Sequence, residues 1–263
     1  MKKELAYILT LIVFFSLYFI ANKTIFADIY HPLQNILHFY PLSYSLTYLI
    51  VGIPLLTFVL FSNRYQIFEA LGLSKGLIQG VLVAFLFSIS MFIGYGMLSS
   101  FKIDIDAKTF WLGCVIAAFF EELYYRGIFF GQIFKNTRLG FFPALIVSAL
   151  IFASLHLYQS NDVVTLIGIF ITTFMGAGLF AWLYVEWDYN LWVPISLHFF
   201  MNLSWSLFSI ADNALGDWSA NLFRGLTVLF AIGGTILYKR KQNIPLAVNR
   251  DTLIMKKTTV PVK

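Results

Sequence analysis

Apolar residues run together in this chain in long blocks separated by short polar stretches, without the alternation of half-buried strands or the one-sided stripes of soluble helices. Crossing a hydrocarbon layer about 30 Å thick takes about 20 apolar helical residues. Blocks near that length fall at about 5–20, 44–62, 77–100, 108–134, 141–158, 163–184, 191–210 and 221–238. The predicted fold is therefore all-α, a polytopic transmembrane bundle of about eight helices. The first block follows a short basic start and lacks a small-residue cleavage pattern behind it, so it reads as a span and not as a signal peptide. Residues 22–43 are aromatic, contain proline and read as an outer loop carrying His31 and His38. Residues 1–238 are predicted to form the bundle, with a functional core at about 108–210, and 239–263 a basic, disordered tail.

Composition narrows the partners. Of the 263 residues, 59% are hydrophobic and only 12% charged, against about 25% charged in soluble domains. The net charge of +5 forms no basic face interleaved with exposed aromatics, so no nucleic-acid partner is expected. The bilayer is the expected environment. With eight spans, Lys2, Lys3, Arg64, Lys75, Lys135, Arg138 and seven tail residues share one side, while Lys23, Lys102 and Lys108 lie on the other. The positive-inside rule then makes both termini cytoplasmic, in a multi-pass plasma-membrane protein. A single cysteine, Cys114, excludes an internal disulfide framework and a multi-cysteine metal site. Trp182, Trp187 and Trp192 flank one loop and read as an interfacial belt.

Three spans carry polar groups at depth. In the fourth, Glu121-Glu122-Leu-Tyr-Tyr-Arg126 places two carboxylates and a guanidinium in apolar sequence. Each such charge costs about 2.5–3.5 kcal/mol on insertion scales, which makes it a functional candidate. Glu122 and Arg126 are four residues apart, in the favourable order for a helical ion pair; Glu121 points about 100° away, toward Tyr125. His156 ends the fifth span in Phe152-Ala-Ser-Leu-His156, and the seventh places His198 and Asn202 on one helical face. Taken singly, these are an interfacial histidine and an interhelical hydrogen bond; together they supply a base, an ion pair, two imidazoles and an amide. No side-chain nucleophile stands beside them in register, so water is the natural nucleophile. Glu121 is the candidate general base, with His156 orienting the water, while His198 and Asn202 are candidate oxyanion donors. Glu122 and Arg126 support them. No cofactor is expected; the alternative is zinc held by Glu121, His156 and His198, although HExxH is absent. A proton-coupled transporter or a non-catalytic immunity or scaffold protein could use the same residue types.

Glu121-Glu122-x-x-x-Arg126, Phe152-x-x-x-His156 and His198-x-x-x-Asn202, each on its own span and in this order, resemble the three motifs of the CPBP intramembrane proteases. These are the type II CAAX prenyl endopeptidases and their bacterial Abi or lysostaphin-resistance-protein-A-like relatives. The resemblance implies an eight-helix bundle and a glutamate-dependent peptidase acting on a membrane-associated peptide or lipidated protein. It also implies that Glu121 and His156 activate water while His198 and Asn202 stabilise the oxyanion. Counting rises along straight spans places His198 shallow, Glu121 deeper and His156 deepest.

Overall fold

A computed structural model describes residues 2–63 and 66–257; Arg64 and the tail residues 258–263 lie outside the described residues. Among the described residues eleven helices follow one another: α1 (Lys2–Thr24), α2 (Phe26–Leu37), α3 (Tyr40–Val51), α4 (Ile53–Ser62), α5 (Ile67–Leu71), α6 (Leu77–Leu98), α7 (109–136), α8 (Phe141–Ser154), α9 (Val163–Glu186), α10 (Trp192–Leu207) and α11 (Trp218–Lys241). There is no strand among the described residues, only an isolated bridge between Leu139 and Met255. α1, α6, α8 with the turn after it, α9 and α11 are each long and apolar enough to cross a membrane, and α3 and α4 together make a sixth candidate bent by 55°. The bend falls at Gly52, where an added Cβ would run into the Tyr124 hydroxyl, which donates to the Tyr48 carbonyl at 2.7 Å. α7 and α10 account for the other two predicted blocks, so all eight are helical. The stretch read as an outer loop also contains a helix, α2, with no buried residue and Pro32 inside it.

α7 is the axis of the molecule. Residues 122–135 are buried without a break, as expected of a helix surrounded on all sides by protein. Phe129 stacks on Phe15 of α1 at 4.2 Å, and Tyr124 meets Tyr18 at 4.7 Å. The helix is not regular: Thr109–Ile116 and Glu122–Phe130 are π-helical, separated by the α-helical Ala117–Glu121 and followed by Gly131–Asn136. Where the second π segment ends, the Gly131 amide donates to Arg126, five residues back. π-turns inside α-helices are often found at functional sites; this pair brackets Glu121, and Glu122 opens the second segment.

The described ends of the chain meet at one end of the bundle. Arg138 pairs with Glu4 of α1 at 3.1 Å, and its carbonyl accepts from the Lys256 amide at 2.7 Å. The segment 243–257, expected to be disordered, forms an ordered strap. Helix starts leave backbone N–H groups without intrahelical partners. At α8 the amides of Gly140, Phe141 and Phe142 donate instead to the carbonyls of Ile254, Thr252 and Leu253 at 2.8–3.0 Å. The strap is anchored on the buried Glu186, whose carboxylate accepts from Lys239 Nζ at 2.5 Å and from the amides of Ala247 and Val248 at 3.0 and 2.8 Å. A buried carboxylate and a helix start without a side-chain cap both need donors or acceptors, and the strap supplies them. Trp187, predicted to lie in an interfacial belt, is buried and donates to Thr235 Oγ1 at 3.0 Å.

Candidate active site

Glu122 and Arg126 form the predicted ion pair, Nη1 to Oε1 at 3.2 Å, with both residues buried. The same Oε1 accepts from His198 Nδ1 at 2.8 Å, joining α7 to α10. An ionised carboxylate can only accept, so this bond puts a proton on Nδ1 and leaves Nε2 as the reactive nitrogen. His198 Nε2 stands 3.9 Å from Glu121 Oε2. That exceeds a direct hydrogen bond and is close enough for both groups to act on one small molecule between them. Glu121 is about one third exposed, whereas Glu122 is fully enclosed. The two adjacent carboxylates thus have different environments: one is fixed in an ion pair and the other is open.

Aromatic rings complete the cluster. The Arg126 guanidinium lies 4.0 Å from the centroid of Phe152 on α8 and 5.5 Å from that of Phe180 on α9. Phe180 stacks on the His198 imidazole at 5.2 Å and 17°. Among the described residues Glu122 Oε2 and both terminal nitrogens of Arg126 make no hydrogen bond.

His156 reaches this cluster indirectly. Its Nδ1 bonds the Phe152 carbonyl at 2.8 Å, which by the same argument leaves Nε2 free. Its ring lies 4.7 Å from Phe152, the ring beneath Arg126. Asn202, one turn beyond His198, donates to the Gly113 carbonyl of α7 at 2.9 Å and keeps a second N–H. Glu121, Glu122, Arg126 and His198 are therefore brought together directly, His156 through the Phe152 ring, and Asn202 through the helix that carries His198. Glu121 and His198, which the straight-span count set at different depths, stand 3.9 Å apart.

Two features were missed in the sequence. The Glu122–His198 bond had a signal, since a carboxylate paired with one guanidinium still has lone pairs that need a donor when buried. Phe180 had none, as it is one apolar residue in an apolar span. Of the alternative zinc set, Glu121 and His198 lie near one another, and among the described residues no three His, Cys, Asp or Glu are grouped so that they could hold a metal ion.

The helices and this site define a polytopic membrane protein built around a buried Glu–Arg–His cluster. Residues 105–204 match the family described as Type II CAAX prenyl endopeptidase Rce1-like. This stretch of the chain, which holds all three motifs, is similar to that family. No curated protein and no solved structure matches the chain.

Proposed function

We propose that the protein is an intramembrane endopeptidase that hydrolyses a peptide bond in a prenylated CAAX-type or other membrane-associated peptide, with water as nucleophile. The observation that carries this reading is the arrangement of His198 between two glutamates, with Nδ1 on the buried Glu122 and Nε2 facing the open Glu121. Glu121 takes a proton from a water whose other hydrogen is held by His156 Nε2. The water oxygen bonds to the carbonyl carbon, and the carbonyl electron pair moves onto oxygen. That oxyanion accepts from a protonated His198 Nε2 and from the remaining Asn202 N–H. Collapse re-forms the carbonyl and breaks the C–N bond, and the amine leaves with the proton from Glu121. Before the water is deprotonated the charges of Glu121 and Glu122 balance those of Arg126 and protonated His198, and in the intermediate the oxyanion takes the place of the neutralised Glu121, so a low-dielectric interior holds no net charge at either stage. His198 is oriented by Glu122 and Glu122 by Arg126, the base–orienter logic of hydrolytic triads.

The test compares membrane and secreted peptidomes of cells expressing the wild type or Glu121→Gln, which keeps shape and removes the base. Defined new termini with the wild type alone are expected, and they would also name the substrate. Identical peptidomes with both proteins folded in the membrane would overturn the reading and favour a non-catalytic scaffold.

A further inference from the structure

Phe180 belongs to α9, a helix outside the three motifs. Its position is nevertheless central. The ring is buried at 6% exposure, stacks near-parallel to His198 with centroids 5.2 Å apart, and its centroid is 5.5 Å from the Arg126 guanidinium. The bond to Glu122 fixes His198 at one atom, Nδ1, and one in-plane bond leaves the imidazole free to rock about it. A flat neighbour removes that freedom, because a tilt of the imidazole drives it into the phenyl face. Only with the plane fixed does Nε2 keep its aim toward Glu121 Oε2. Phe180 brings no polar atom that could compete for the proton on either nitrogen. Its face also favours positive charge, whether on Arg126 or on a protonated His198. Arg126 needs such support: its terminal nitrogens make no hydrogen bond among the described residues, so the faces of Phe152 and Phe180 are its main contacts beyond Glu122.

We infer that Phe180 is a positioning residue that sets the ring plane of His198 and steadies the Arg126–Glu122 pair. This rests on the peptidase reading for its consequence in catalysis, and on the geometry alone for its consequence at His198. Two readouts separate the two. Histidine-labelled full-length protein in nanodiscs, with the resonance assigned by His198→Ala, reports the tautomer and titration of His198 directly. Phe180→Leu should shift both, while Phe180→Tyr, which keeps the ring face, should leave them as in the wild type. With a farnesylated quenched-fluorescence peptide as probe, Phe180→Leu should lower kcat by roughly 10- to 100-fold, the scale of a small misplacement of a reacting group. KM should stay nearly constant, and Phe180→Tyr should restore the rate. If Phe180→Leu does not fold, Phe180→Met supplies bulk without a ring face. Wild-type His198 titration and tautomer in a folded Leu or Met variant would overturn the inference, whatever the cleavage data show. Full cleavage by Glu121→Gln would instead overturn the peptidase reading and leave the His198 result standing.

Discussion

Glu121 and Glu122 are neighbours in sequence with opposite burial, and that difference predicts opposite mutational signatures. Glu122 is enclosed with Arg126, and removing one partner of a buried pair typically costs about 3–5 kcal/mol because the other charge stays buried. Glu122→Gln is expected to lower stability on that scale, read as a denaturation midpoint in detergent. It should also lower cleavage, because His198 loses its charged acceptor. Glu121→Gln removes a partly exposed carboxylate with no direct hydrogen bond to His198, and its stability should stay within about 0.5 kcal/mol of wild type while cleavage is lost. Equal stability losses would contradict the assignment of one carboxylate to structure and the other to chemistry. Arg126→Lys is not conservative here, since a compact ammonium cannot lie flat between two phenyl rings.

At the scale of elements, the strap and the bent α3–α4 pair carry the predictions. Burial pushes the Lys256 ammonium down to about 8, with Glu4 acting in the opposite direction. Its Nζ donates to the Phe134 carbonyl at the end of α7 and lies over the Phe134 ring at 4.2 Å. A released lysine titrates near 10.4, so between about 8 and 10.4 the released strap binds more protons than the docked one. Docking is therefore weakest below about pH 8 and strengthens as pH rises through that window. A nitroxide at the exposed position 251 should lose mobility across the same range, and Lys256→Met should abolish the dependence. Glu186→Gln should free the same label at every pH, because Lys239 and two strap amides lose their charged acceptor. At the bend, Gly52→Ala forces the Tyr124 hydroxyl away from Tyr48. It should cost about 1–3 kcal/mol, as overpacking does.

For the whole molecule, the buried second half of α7 is the element the other helices gather on. α7 gathers α1 and α4 on one side and α8 and α9 on another through a single apolar core, while α6 joins α10 and α11 through smaller clusters. The site lies where these groups meet, with Arg126 on α7, Phe152 on α8, Phe180 on α9 and His198 on α10. Because the proposed mechanism takes no metal, chelators applied to purified protein are expected to leave cleavage of the farnesylated peptide unchanged. Loss of activity restored by zinc would contradict the metal-free mechanism.

By itself the sequence determined the helical class, all eight apolar blocks and the polar residues worth watching. Hydropathy and the cost of charge in an apolar span are local properties, readable one residue at a time. The Glu122–Arg126 pair was legible for the same reason, since a four-residue spacing fixes proximity on one helix. Only the tertiary structure decided that Glu122 turns its oxygen to His198, that Phe180 backs that imidazole and that residues 243–257 cap α8. Each is a contact between different segments of the chain, made in directions that residue type does not encode. The π segments of α7 likewise depart from the regular helix that the sequence pattern predicts.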